Sequence, residues 1–265
     1  MRPQYRDIAT FFCKPIWCIL YGKGNNITKH DGGGGAPCMN TQQLDAFYAS
    51  SAGLYTQKAL RPYFSKRPLH KEDKCLAVGY VAPFLTALRA THKVALIPHD
   101  SGITPAITPD TTLLTYKEDG CFPLKENTFQ HIFLIHCLES ALYPAHLLRE
   151  ATRCLQPGGH LTLFVPQSKT CWRSDRFPWG ATQTWSPDRI KGQLEQNQLT
   201  LLKSNAALLF PSASKWNALM LPLEHTLRCM MLDMWGNMQI VQAAKMLSYT
   251  GQQPQERQLM PQLSS

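Results

Sequence analysis

The chain is expected to fold as an α/β protein, a mostly parallel sheet flanked by helices, and three observations predict it. Short apolar runs without polar alternation recur along it: Cys75-Leu76-Ala77-Val78, Val94 to Ile97 and Ile132-Phe133-Leu134-Ile135. Such runs suit strands buried on both faces, the condition of a parallel sheet under helices. Segments with apolar residues at helical spacing lie between them, and proline or glycine closes most of the strands. With 265 residues, 44% of them hydrophobic and 10% aromatic, the chain can bury a large core, which excludes a wholly disordered protein.

Taken in order, Leu44, Phe47, Tyr48 and Leu54 or Tyr55 predict a short helix, followed by a second through Leu60 and Phe64 that ends or kinks at Pro62. The first strand, Cys75 to Val78, stops at Gly79. Pro83 then opens a helix with Phe84, Leu85 and Leu88 on one face. Val94 to Ile97 is the second strand, Leu113 to Tyr116 a third and Ile132 to Ile135 the fourth. The next helix carries Leu147, Leu148, Ala151 and Leu155 on one side, and Pro157-Gly158-Gly159 is expected to terminate it as a glycine cap. His160 to Val165 returns as a strand. Ser186-Pro187-Asp188 has the features of a helix start, a hydroxyl cap, a proline and an acid in the first turn. Ile190 and Leu194 give that helix a buried face. Thr200 to Phe210 and Met238 to Ala244 read as two further strands, with a helical pattern bent at Pro222 between them.

The flanks differ in texture. Ile8 to Tyr21 is apolar but interrupted by Lys14 and Pro15, and too short for a membrane span. Asn25 to Asn40, with four consecutive glycines from Gly32, reads as a linker. The expected organisation is a leader and Gly-rich linker over 1–40, a folded domain over 41–250 and a tail over 251–265. Nine cysteines at irregular spacing, with no pair two residues apart, argue against a zinc site and for a reduced, cytoplasmic protein. The net charge of +9 suits anionic partners, but the basic residues are scattered, as on a solvated surface.

Phe122-Pro123-Leu124, Asn127-Thr128-Phe129, the strand to His136, Leu138-Glu139, Leu148-Arg149-Glu150, Arg153-Cys154-Leu155 and Gln156-Pro157-Gly158-Gly159 together resemble the type 11 subgroup of class I S-adenosylmethionine-dependent methyltransferases. The match is densest over residues 113 to 165 and extends more loosely over 44 to 246. The resemblance implies a Rossmann-like sheet with a C-terminal antiparallel strand, S-adenosylmethionine as cofactor and a methyl acceptor that is a small molecule or a macromolecule. It implies a cofactor site at Ala77, Val78, Gly79 and Tyr80, at the acidic pair Glu118 and Asp119, and at His136. Family members usually carry three glycines after the first strand; this chain keeps Gly79, and branched Val81 is expected to crowd the loop or redirect it. Only Asp100, displaced, stands where an acid after the second strand would bind ribose. Gln130 replaces an aspartate that supports structure in the family.

His136 ends the fourth strand, at the carboxyl edge where open α/β sheets bind ligands. It could line the pocket or act as a general base, or serve as a packed edge residue; Glu139 has similar standing. Methyl transfer depends largely on alignment, so the family fixes no catalytic residue. Trp172, Arg173, Arg176, Trp179 and Trp185 could stack nucleic-acid bases or pack as a lid. The competing reading of the whole is a binding protein that keeps the fold without the activity.

Overall fold

The computed structural model describes residues 41–65, 72–99, 109–117, 120–167, 185–208 and 236–246. The readings made for the linker, for Asp100, Glu118 and Asp119, for Trp172 to Trp179, and for the bend at Pro222 lie outside them. Three short helices come first: α1 (Thr41–Ala49), α2 (Ser51–Leu60) and α3 (Pro62–Ser65). Pro62 begins α3, in the first turn where proline's missing N–H costs nothing. Seven strands follow: β1 (Lys74–Gly79), β2 (His92–Pro98), β3 (Thr111–Tyr116), β4 (Phe129–Ile135), β5 (Leu155–Pro166), β6 (Leu199–Ala207) and β7 (Met238–Lys245). Helix α4 (Pro144–Cys154) lies between β4 and β5, and α5 (Pro187–Gln196) between β5 and β6.

The strands form one sheet in the order β3-β2-β1-β4-β5-β7-β6. β1 to β5 run parallel, and β7 is inserted antiparallel between β5 and β6. The order reverses beside β1, between β1 and β4, so the crevice at their carboxyl ends is the switch point where ligands bind in sheets of this kind. The unalternating runs are explained by two cores. Cys75, Ala77, Phe133, Ile135 and Phe164 face α1 to α3, whereas Leu76, Val78, Ile132, Leu134 and Leu163 face α4 and α5. On the first side Phe64 stacks on Phe84 at 4.9 Å and on Phe164 at 4.8 Å between ring centroids.

Two expectations are corrected. The segment opened by Pro83 is a 3₁₀ helix, Ala82–Ala87, that leaves β1 within one turn and buries Phe84, Leu85 and Ala87. Pro157-Gly158-Gly159 does not cap α4. The helix ends at Cys154 and Leu155 is already extended, at φ −75° and ψ 131°, as the first residue of β5. The glycines lie inside β5, where pairing passes from Phe129–Leu155 to His131–His160: five residues on β5 oppose two on β4. Gly158 takes φ +76° in that bulge. A Cβ on Gly159 would lie 2.8 Å from Leu155 Cδ1, so both glycines serve the strand's excursion.

The motifs that carry the resemblance meet in one clamp. Glu150 accepts the Phe122 N–H at 2.8 Å. Arg153 bonds Glu150 and donates to the carbonyls of Leu124 at 3.0 Å and Phe122 at 3.1 Å. Helix α4 thereby holds the Phe122-Pro123-Leu124 segment ahead of β4. Gln130 keeps a supporting role: its Oε1 accepts the N–H of Lys74, the first residue of β1, at 2.8 Å. Lys245 at the end of β7 donates to the carbonyls of Thr152 and Leu155 and to Asn127 Oδ1 at 2.7–2.8 Å, closing the same corner.

Candidate functional site

At the carboxyl edge, β1 and β4 approach so closely that only glycine fits between them. Gly79 has φ +94°, and a Cβ there would fall against the Ile135 carbonyl and within 2.7 Å of Cys137 Cβ. The Tyr80 N–H then donates to Ile135 O at 2.9 Å. Ala77 and Val78 are buried strand residues behind this turn. Val81 neither needs nor resists the turn. It is buried in ordinary helical backbone, φ −100° and ψ −18°, as the residue that caps the 3₁₀ helix. The glycines expected at later positions are unnecessary because the chain leaves by this tighter path.

Over this edge lies α1. The Tyr48 ring stacks on Tyr80 at 5.3 Å and meets Phe84 edge-on at 5.6 Å. Tyr80 in turn donates to Asp45 Oδ1 at 2.5 Å. Gln57 of α2 bonds the Pro83 carbonyl, so both helices are tied to the loop after β1. Burial pushes the Tyr48 phenol well above its ordinary range, aided by the neighbouring Tyr80 and Glu139. Burial also raises the Tyr80 phenol, with its bond to Asp45 adding to the effect.

His136 follows β4 directly, in left-handed backbone at φ +52°. This conformation is unfavourable for a side chain by roughly 1–2 kcal/mol, so the surroundings must hold it. They do so on both ring nitrogens: Nε2 lies 2.7 Å from Tyr48 Oη and Nδ1 lies 3.0 Å from Glu139 Oε1. Both side chains of the His136–Glu139 pair are fully buried. The second oxygen of Glu139, Oε2, is buried with no hydrogen-bond partner. The structure thus brings Gly79, Tyr80 and His136 to one edge. It adds Tyr48, Asp45 and Glu139 around them.

Tyr48 was legible only as an apolar-face residue of a helix, because its partner lies 88 positions away. Trp185, the described member of the Trp- and Arg-rich segment, is buried and has the Arg189 guanidinium 4.0 Å over its ring. Among the described residues no group of three or more His, Cys, Asp or Glu side chains could hold a metal ion. No helix among them is long and apolar enough to cross a membrane.

Comparison with known proteins agrees with this architecture. Residues 106–163 match the type 11 family model described as "Methyltransferase domain". A chain of the complex between the Haloferax volcanii Trm112 methyltransferase activator and a putative methyltransferase is similar, at 16% identity and a TM-score of 0.56, covering 78% of this chain and 97% of that one. A S-adenosylmethionine-dependent methyltransferase of Thermotoga maritima, a possible histamine N-methyltransferase, gives 13% identity and 0.56, covering 77% and 95%. The [4+2]-cyclase SpnF gives 15% and 0.57, covering 79% and 93%. No curated protein matches the sequence. The fold is therefore the one that these methyltransferases and the cyclase share.

Proposed function

We propose that the protein transfers a methyl group from S-adenosylmethionine to a small-molecule or macromolecular acceptor. The cofactor would lie over the carboxyl ends of β1 and β4, against Ala77, Val78, Gly79, Tyr80 and His136, with Glu118 and Asp119 toward its adenine. The observation that carries this reading is Gly79, whose left-handed backbone turns the chain sharply at the switch point of a β3-β2-β1-β4-β5-β7-β6 sheet. The residues present fit a cationic group. The rings of Tyr48 and Tyr80 attract positive charge, and Glu139, whose Oε2 has no hydrogen-bond partner, is a buried acid on the far side of the His136 ring from Tyr48. When bound, the cofactor supplies an electrophilic methyl on sulfonium sulfur, and the chain supplies alignment and exclusion of water. A cytoplasmic setting accords with the four described cysteines, none of which is in a disulfide.

That SpnF, a cyclase, has a similar fold means that the fold alone does not fix methyl transfer. The decisive experiment is calorimetric titration of the full chain with S-adenosylmethionine and S-adenosylhomocysteine, beside thermal melts. Saturable heat is expected, with stabilisation of about 2.7 kcal/mol at a hundred times Kd. No heat and no melting shift at millimolar cofactor would overturn the assignment. That outcome would favour a binding protein in which the Tyr48–Tyr80 stack permanently fills the edge.

A further inference from the structure

A chain of hydrogen bonds runs from α1 to the turn after β4. With Glu139 ionised, its Oε1 accepts the bond from His136 Nδ1–H at 3.0 Å. A neutral imidazole protonated on Nδ1 presents a lone pair on Nε2, and Tyr48 Oη lies 2.7 Å from it. Buried and protonated, the Tyr48 phenol is the donor. In that state the three groups form a wire from the Tyr48 hydroxyl oxygen through the imidazole to a buried carboxylate. The other titratable groups facing it are Tyr80, stacked on Tyr48, and Asp45, which bonds Tyr80.

We propose that Tyr48, His136 and Glu139 are a proton relay that deprotonates the methyl acceptor, and that the acceptor is therefore a protic nucleophile, a hydroxyl or a protonated amine. This deepens the methyltransferase reading and rests on it. As the acceptor's O–H or N–H bond breaks, its proton passes to Tyr48 Oη while the phenol's own proton passes to His136 Nε2. The acceptor's electron pair forms the new bond to the methyl carbon. The S–CH₃ bond breaks with its electrons going to sulfur, which leaves as the neutral thioether. Glu139 stays ionised and stabilises the imidazolium. Its role is positioning and electrostatic, as is usual for a carboxylate behind a histidine base. A merely structural tie between α1 and β4 would need neither a left-handed histidine nor a carboxylate with one oxygen unpartnered.

The test uses the full chain, wild type and the variants Tyr48→Phe and Glu139→Gln. Methyl transfer from radiolabelled S-adenosylmethionine is measured to catechol, to phenethylamine and to thiophenol, whose thiol ionises without help. The rate ratio of thiol to hydroxyl or amine transfer is expected to rise about 100-fold in Tyr48→Phe and by at least about 10-fold in Glu139→Gln. Relative rates with catechol and phenethylamine separate an oxygen from a nitrogen acceptor. Independently of activity, ¹⁵N-imidazole NMR of the unliganded protein should show His136 neutral with its proton on Nδ1, and a changed tautomer balance in Glu139→Gln. A proton on Nε2 at neutral pH overturns the relay. So does an unchanged acceptor ratio, or a wild type that binds cofactor yet methylates no protic probe. Absence of cofactor binding by calorimetry overturns the underlying methyltransferase reading instead, and the relay with it.

Discussion

Replacing Gly79 by alanine tests whether the turn after β1 is fixed by backbone geometry. The position has φ +94°, and an added Cβ would press on the Ile135 carbonyl and Cys137 Cβ. Left-handed backbone costs a non-glycine residue roughly 1–2 kcal/mol. Overpacking against a strand costs about 1–3 kcal/mol more, because neither a β4 carbonyl nor a buried Cβ can swing away. The sum is about 2–5 kcal/mol, or a fall in Tm of roughly 5–20 °C for a domain of this size. Gly192→Ala is the matched control. On α5 a Cβ meets nothing within 4 Å, and alanine should stabilise the helix by about 0.5–1 kcal/mol. Urea and thermal unfolding of both variants give the numbers. If Gly79→Ala loses less than about 0.5 kcal/mol, the β1–β4 edge is not closed as described and the glycine has no structural necessity.

Two further outcomes follow from groups away from the edge. Burial would raise the Glu150 carboxyl, but the bonds from Arg153 and from the Phe122 N–H, with the charges of Arg153 and His146, hold it below its ordinary value of 4.5. A depressed carboxylate contributes stability above its unfolded pKa and loses it as pH falls through the lower folded one. Glu150→Gln should therefore be less stable than wild type at neutral pH and lose less stability between roughly pH 5 and pH 3, in urea titrations at each pH. Burial pushes the Cys75 thiol up to about 12 and that of Cys154 to about 11, whereas Cys121 is exposed. Iodoacetamide at pH 8, read by peptide mapping, should modify Cys121 in the native protein and reach Cys75 and Cys154 only after unfolding.

What the residue pattern revealed and what it concealed divide by range. The strands were legible because burial on both faces leaves no polar position in Leu76 to Val78 or Ile132 to Ile135. Ser186 was legible as a cap because its hydroxyl meets the N–H of Arg189, three residues on, at 3.2 Å. Pro157-Gly158-Gly159 misled because its glycines permit positive φ equally at a helix end and in a strand bulge. Only the pairing with β4 decides between them. Of the site, the residues of the β1 turn and His136 could be marked locally. Glu139, three residues on, could be marked as well, but Tyr48 could not, since it comes from α1 and no local periodicity joins it to His136. Val81 was expected to crowd the loop or redirect it, and the chain does leave β1 by another path, the 3₁₀ helix Ala82–Ala87.

The strongest reason to look for chemistry at this edge is that stability alone would not build it. A left-handed histidine costs about 1–2 kcal/mol. A buried carboxylate with one unpartnered oxygen costs more, because a buried polar group loses its hydration without full replacement. Apolar residues of similar volume at Tyr48, His136 and Glu139 would pack against Phe84 and the β4 end without these penalties. The same chain satisfies its other buried charges closely: Glu150 has Arg153 and the Phe122 N–H, and Lys93 has Asp110 at 2.7 Å. The one buried carboxylate oxygen without a hydrogen-bond partner among the described residues therefore falls in the turn after β4, behind the His136 ring. A cationic sulfonium at this edge, or the imidazolium formed on His136, would offset the charge that this carboxylate keeps, and both belong to the step proposed for this site.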